Sequence, residues 1–396
     1  ASVERLRECI DHQVSYIKVA AAPGAPVSST TRRRKGSHQA EKLVVLELKK
    51  IAPVITLLAD LGINTLENKT SQNPLWTLVH IDHENLSEID IEIKIDDRLL
   101  SLEKQLKGQS EFIASSIPKT IQATLRPYQI EGVQWLERLR SMAISGVLAD
   151  DMGLGKTLQA ICARSQTRDA FPQMQHLIVA PTSLVDNWKE EIERFNPQLT
   201  CAVIAGAPNK RESLIQSKDK KNILVTSYSL MQKDVEHYKS LNLGYLILDE
   251  AQYIKNRQTR NARCVKEINS TFRLVLTGTP IENSLEELWS LFDFLMPGFL
   301  GGFERFCSRY LRSAKDSKNK SLKDLQRRIA PFILRRMKTD VLEDLPPINQ
   351  IVYHCHLLPQ QMDLYNKYAK AARNELSALV EKKGFEKVQI HVLATL

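Results

Sequence analysis

The sequence predicts a doubly wound α/β domain, a parallel sheet covered by helices on both faces, preceded by a smaller α+β region. Three observations carry this. From about residue 121, the runs GVLAD, HLIVAPT, CAVIAG, NILVTSY, YLILDE and FRLVLTGT are apolar without alternation and of strand length, as strands buried on both faces are. Between them, SLVDNWKEEIERF spaces Leu184, Trp188, Ile192 and Phe195 helically, and NSLEELWSLFDFL does so with Leu285, Leu288, Phe292 and Leu295. Polar, chemistry-bearing residues follow directly on several strands, at the carboxyl edge where such sheets bind ligands.

In chain order, residues 1–120 read as a flanking region. Its Pro/Ser/Arg-rich stretch 20–39, with the Arg32–Lys35 cluster, reads as a solvated linker. EKLVVLELKKIAPVITLLADLG suggests a helix, and EIDIEIKID alternates Ile89, Ile91, Ile93 and Ile95 as a half-buried strand does. His80 and His83 read as core or surface histidines. The α/β lobe is expected over 121–297, a basic helical insertion returning to it over 298–345, and a further segment over 346–396. Ser284 with Glu287 predicts a capping box.

Bulk properties set the class. At 396 residues, two or three domains are expected. No run of 18 apolar residues exists, so no membrane-spanning helix is expected. The chain lacks an initiator Met and a secretory signal, and both ends read as cuts through a longer protein. The six cysteines form no C-x-x-C pair and are expected as free thiols. In His354-Cys355-His356 the alternation of a strand explains the residues better than a metal site. Net charge is +9, and residues 301–340 hold twelve Lys/Arg against four Asp/Glu, a surface that suits a polyanion.

The chemistry begins at ADDMGLGKTLQ. It follows a strand and opens a helix, the setting of a phosphate-binding loop, yet Asp150 stands where G-x-x-x-x-G-K-[ST] has its first glycine. Leaving the strand there, Asp150 can aim its side chain away from phosphate, toward a metal or neighbouring loops. Asp151, Met152, Gly153, Leu154, Gly155 and Leu158 complete the loop and first turn. The two glycines let backbone approach phosphate, the helix start supplies N–H groups, Lys156 reaches the β/γ-phosphates and Thr157 ligates Mg²⁺. YLILDEAQ supplies the distal carboxylates: Asp249 for Mg²⁺, Glu250 as base toward the attacking water. In LRPYQIEGVQWL, the Gln129 amide offers donor and acceptor to adenine, with Tyr128 or Arg126 against the base; the plainer alternative is a helix start burying Ile130, Val133 and Leu136. In LTGTP, Thr277, Gly278 and Thr279 are placed to link Gln252 and the acidic pair to movement.

These motifs, with LIVAPTSLVDNW, VTSYSL, LDEAQYIKN, LTGTPIENSLEELWSLFDFLMPGFLG and FILRRMKTDVLEDLPP in that order, resemble the SWI/SNF-type ATPases of helicase superfamily two over about 120–350. ENSLEELWSLFDFLMPGFLG is similar to the bacterial members. The resemblance implies a RecA-like first motor lobe using ATP and Mg²⁺ to track double-stranded DNA without parting it. It implies backbone contacts from Pro181, Thr182, Ser183, Thr226 and Ser227, with Lys255 and Asn256 as weaker candidates. It also implies a second lobe in cis, a possible protein cargo on DNA, and a cytoplasmic, nucleoid-associated location, or nuclear if eukaryotic. Departures are Gln252 where many relatives have histidine, and LPPINQ without the lysine often following LPP. The sequence shows no arginine-finger motif, worth ~10³–10⁵ in related reactions, so little hydrolysis is expected of this chain alone. The alternatives are a strand-separating DNA or RNA helicase, against which the long basic insertion speaks, and a non-catalytic nucleotide-binding scaffold, against which Lys156, Thr157, Asp249 and Glu250 speak.

Overall fold

The structure, a computed structural model, describes residues 16–20, 41–45, 74–80, 96–106, 116–166, 174–217, 222–279, 284–312, 315–341 and 356–383, with positions 6, 9, 54, 55, 58 and 353. The chain divides into two units, 1–343 and 344–396.

In the first unit a two-stranded antiparallel ribbon pairs β1 (Tyr16–Ala20) with β2 (Glu41–Val45). This corrects the helix expected to start at EKLVV. Leu43, Val44 and Val45 suit a strand, and pairing with YIKVA overrides the helical spacing. The linker 21–40 and the stretch 89–95 lie outside the described residues.

The main sheet has seven parallel strands: β3 (Gly146–Leu148), β4 (Gln175–Ala180), β5 (Cys201–Val203), β6 (Ile223–Ser227), β7 (Leu243–Asp249), β8 (Ser270–Leu276) and β9 (Ile333–Leu334). Their order is β5-β6-β4-β7-β8-β3-β9. Six of them are the apolar runs of the sequence; β9 joins from FILRR. The register aligns the carboxyl ends: Ala180 pairs with Ser227, Asp249 with Leu276, and Leu276 with Leu148, which pairs with Leu334. Residues that follow these strands therefore emerge along one edge. Both faces are covered, so Val179, Leu224, Leu246, Leu248 and Leu274 are wholly buried. Trp188 and Ile192 of helix Val185–Phe195 bury as their spacing predicted, with Leu184 and Phe195 packed beside them.

The flank packs on this core: Leu106 joins it, and Trp76 meets Phe299 edge-on at 5.4 Å. Phe292, Phe299 and Phe332 link helix Leu285–Leu295 to the return into β9. The basic insertion closes on one carboxylate: Asp324 takes Arg309, Arg327 and Arg328 at 2.9–3.0 Å. Ser284 stands at the helix N-cap without the side-chain cap bond of the expected capping box, and the Glu287 carboxylate pairs with Lys255 at 3.4 Å.

Cys9, Cys162, Cys201, Cys264 and Cys307 are free thiols, and burial pushes Cys162 and Cys201 up to about 12. Among the described residues no helix is long and apolar enough to cross a membrane, and no side-chain cluster has metal-site composition. His83, His354 and Cys355 lie outside the described residues. The second unit shows helix Pro359–Lys383.

Candidate nucleotide site and nucleic-acid groove

Strand β3 delivers Asp150 with its side chain turned inward, fully buried. Its carboxylate oxygens accept from the Arg336 guanidinium, Nε at 2.9 Å and Nη2 at 2.5 Å, and Oδ2 also accepts from Gln159 Nε2 at 3.2 Å. This answers the missing glycine. The acidic head residue faces a cation from the segment after β9 and leaves the loop interior clear. Sequence reasoning missed Arg336; the signal was FILRR, where an arginine follows a short apolar run.

The loop turns through two left-handed glycines, Gly153 at φ +85° and Gly155 at φ +76°. At φ +76° any side chain on Gly155 would be strained, and its Cβ would lie 2.5 Å from Gln129 Nε2. Helix Lys156–Gln166 opens directly after, aiming its first N–H groups at the loop. Lys156 Nζ donates to the carbonyls of Asp150 at 2.8 Å and Asp151 at 3.2 Å. Burial lowers its pKa, while the carboxylates of Glu250, Asp249, Asp150 and Asp151 resist that shift. Thr157 sits half-buried in the first helical turn. Leu158 packs inward with Val133 and Cys162, so only its backbone faces the loop. Met152 is 69% exposed at the loop tip.

LRPYQ clamps this loop. Tyr128 Oη and Gln129 Nε2 both donate to the Leu154 carbonyl, at 3.3 and 3.2 Å, and Gln129 Oε1 accepts from Arg126 N–H at 3.0 Å. The plainer reading of this motif holds alongside, since Val133 and Leu136 are wholly buried. Both ends of the Gln129 amide are thus engaged, and contact with adenine requires exchanging one of these bonds.

Strand β7 delivers the acidic pair. Asp249 Oδ2 accepts from Trp188 Nε1 at 2.8 Å and Oδ1 from Glu250 N–H at 2.9 Å. Burial raises the Asp249 carboxyl above its ordinary value against the Trp188 bond, and Glu250 adds to the rise. Glu250 has φ +49°, a left-handed conformation uncommon for a side chain of its size. Tyr228 Oη donates to the Asp249 carbonyl at 2.8 Å.

The expected link between LTGT and Gln252 takes another form. Thr277 Oγ1 accepts from Thr279 N–H at 3.1 Å, and Thr277 N–H donates to the Leu148 carbonyl at 3.2 Å. A Cβ on Gly278 would lie 3.3 Å from Met152, so this turn abuts the phosphate loop itself. Among the described residues neither hydroxyl is hydrogen-bonded to the exposed Gln252.

A groove of about 140 Å³ runs along the same edge, lined by Pro181, Thr182, Tyr228, Ser229, Gln232, Tyr253 and Asn261. It includes Pro181 and Thr182, and Ser183 is exposed beside them. Three other candidates are buried. Thr226 is wholly buried with its hydroxyl on the Ile204 carbonyl at 3.4 Å, and Ser227 caps the next helix by accepting from Leu230 N–H at 3.3 Å. In a strand buried on both faces, hydroxyls must find internal partners. The exposed hydroxyl there is Ser229. Lys255 is buried against Glu287 instead of presented to solvent. Asn256 is exposed and closes its own turn by accepting from Gln258 N–H at 2.9 Å.

Comparison with known proteins agrees with this geometry. The SNF2-related domain profile matches residues 128–395. Human TATA-binding protein-associated factor 172 is 38% identical over 73% of this chain and 17% of its own length. The putative ATP-dependent helicase/translocase YwqA of Bacillus subtilis is 36% identical over 73% of this chain and 32% of its own. The solved Sulfolobus solfataricus SWI2/SNF2 ATPase core in complex with dsDNA superposes with a TM-score of 0.55 at 36% identity, covering 72% of this chain and 59% of that one. The chain thus spans about a sixth to a third of the length of these two curated relatives. With a parallel sheet, a phosphate loop and an acidic strand end in the expected order, the chain belongs to the SNF2-related family of helicase superfamily two.

Proposed function

We propose that this chain is the ATP-binding half of a motor that hydrolyses ATP to move along double-stranded DNA. The observation that carries the reading is the convergence of Lys156, Asp249 and Glu250 at one sheet edge, close enough that both carboxylates act on the lysine's charge. The left-handed glycines and the helix start fit a phosphate chain, and a buried strand-end carboxylate at Asp249 and a hydroxyl in the first helical turn at Thr157 are the oxygen donors a divalent cation takes.

Lys156 exchanges its two loop carbonyls for phosphate oxygens. Thr157 and Asp249 are the residues that would hold Mg²⁺, which when bound neutralises charge developing on the phosphates. Glu250 orients the attacking water and takes its proton. Tyr128, Gln129 and Arg126 line the base side. On the track side, Thr182, Ser183 and the groove hydroxyl Ser229 offer neutral donors to a phosphate backbone, contacts that carry no sequence information, and Pro181 shapes the groove wall beside them. The Sulfolobus relative, solved with duplex DNA, supports that choice of track. Completion by a second lobe in cis, a protein cargo on the DNA, and a location with DNA in cytoplasm or nucleus belong to the same proposal.

The test is steady-state ATP turnover of the full-length protein with and without blunt duplex DNA or RNA. Strong stimulation by DNA alone, abolished by Glu250→Gln with ATP binding retained, is expected. Turnover surviving that change sinks the assignment of the base, and a preference for RNA sinks the track.

A further inference from the structure

Arg336 is the point where the far end of the first unit grips the loop, and each of its contacts is a different piece of the nucleotide site. Its guanidinium holds both oxygens of Asp150, the head of the loop. Nη2 also reaches Gln159 Oε1 at 2.9 Å, on the helix that follows the loop. Nη1 donates to the Tyr128 carbonyl, and the guanidinium carbon lies 5.2 Å from the centre of the Tyr128 ring. The neighbouring backbone is stitched along the same line. Ala149 N–H donates to the Leu334 carbonyl at 2.7 Å, Asp151 N–H to the Arg336 carbonyl at 3.0 Å, and Lys338 N–H to Asp151 Oδ2 at 3.0 Å. Helix Pro127–Ser141 leaves room for the pair at Gly132, where a Cβ would lie 1.9 Å from Gln159 Oε1 and 2.8 Å from Arg336 Nη2.

A buried ion pair of this kind gains little over apolar packing of the same volume, so stability alone is a poor account of it. Its fork geometry is what distinguishes it: one planar group fixes the base motif, the loop head and the post-loop helix in a single arrangement. We propose that Arg336 is a positioning residue for ATP, acting through Asp150 to hold the phosphate loop in its binding shape. The inference rests on the proposed ATPase reading and extends it to a segment that starts seven residues before the boundary of the first unit at 343.

The test uses the full-length protein with Arg336→Gln, Arg336→Lys, Asp150→Asn and the Arg336→Gln/Asp150→Asn double variant. ATP affinity, KM, kcat and duplex affinity are measured on each. A misplaced loop weakens ATP affinity by up to ~100-fold, and duplex affinity should hold. Lysine should restore only part of the loss, since it keeps the charge and loses the fork. The double variant should be no worse than the worse single one, because both remove one link. Unchanged ATP affinity in Arg336→Gln, full rescue by lysine, or additive losses would each overturn the proposal. If Arg336→Gln gives no cooperative melt, Asp150→Asn, which keeps the side-chain shape, decides by the same readout. Wild type separates the two levels: if it binds no ATP the ATPase reading falls, whereas if it binds and Arg336→Gln binds equally, only this inference falls.

Discussion

Replacing Trp188 with phenylalanine removes one hydrogen bond from the carboxylate that ends β7. The indole is 1% exposed and donates to Asp249 Oδ2 at 2.8 Å. Hydrogen bonds to charged groups contribute about 1.5–3 kcal/mol, and this one holds the carboxyl's pKa down against burial. Burial already raises that pKa above its unfolded value, so the folded state binds the proton more tightly and ionisation weighs against folding. Stability from this group is therefore lost as pH rises through the folded pKa. Losing the indole raises the folded pKa further and deepens that loss. The void left by the smaller ring destabilises equally at every pH. Urea unfolding followed by circular dichroism at pH 5 and pH 8 separates the two effects. The destabilisation by Trp188→Phe should be larger at pH 8 than at pH 5, by up to about 1.5–3 kcal/mol, the value of a hydrogen bond to a charged group. An equal loss at both pH values would mean that the indole only fills space.

His176 is 1% exposed, accepts from Tyr245 N–H at 3.0 Å, and has its pKa lowered by burial to about 3. Between that value and the unfolded 6.5 the unfolded chain binds the extra proton, so acid should destabilise the lobe through this window, by on the order of 1.4 kcal/mol per pH unit at most; His176→Asn, whose amide oxygen can accept the same N–H, should flatten the slope in melts from pH 6.5 to 4. Glu250→Gly should relieve the left-handed backbone at φ +49° and raise thermal stability by up to ~1 kcal/mol while removing turnover, and a loss of stability would show that the conformation is unstrained. Gly155→Ala should destabilise by more than ~1 kcal/mol and weaken ATP binding, since it adds a Cβ at φ +76° against Gln129; titration with a fluorescent ATP analogue checks it.

Much of the site was legible because its chemistry sits where strands end. Asp249 follows an apolar run and Lys156 follows a glycine loop, so both positions could be placed without tertiary information. What escaped was what other elements bring from afar. Arg336 is 186 residues from Asp150, and Trp188 is 61 from Asp249; the spacing of Trp188 announced a buried helix face but not its indole bond. Two expectations meet at one ion pair. Glu287 was expected to cap its helix and Lys255 to reach DNA, and each is taken by the other at 3.4 Å. Thr226 and Ser227, implied by the resemblance as backbone contacts, are buried at the strand end: Thr226 Oγ1 donates to the Ile204 carbonyl, and Ser227 Oγ accepts from Leu230 N–H while lying 3.1 Å from the groove hydroxyl of Ser229.

Groove and acid pair are joined by two aromatic rings. Tyr253, 44% exposed in the groove, stacks on Tyr228 with centroids 4.8 Å apart and planes 16° from parallel. Tyr228 is buried, and burial holds its pKa well above the ordinary phenol value, so its hydroxyl stays a donor to the Asp249 carbonyl at any working pH. A ligand that moves Tyr253 thus acts one ring and one hydrogen bond away from the peptide carrying the carboxylate proposed to bind Mg²⁺. The next residue is the left-handed Glu250, whose N–H is itself bonded to Asp249 Oδ1. A rotation at Asp249 therefore carries the proposed base with it. The stacked pair thus gives the groove proposed for a phosphate backbone a short mechanical path to the acidic strand end.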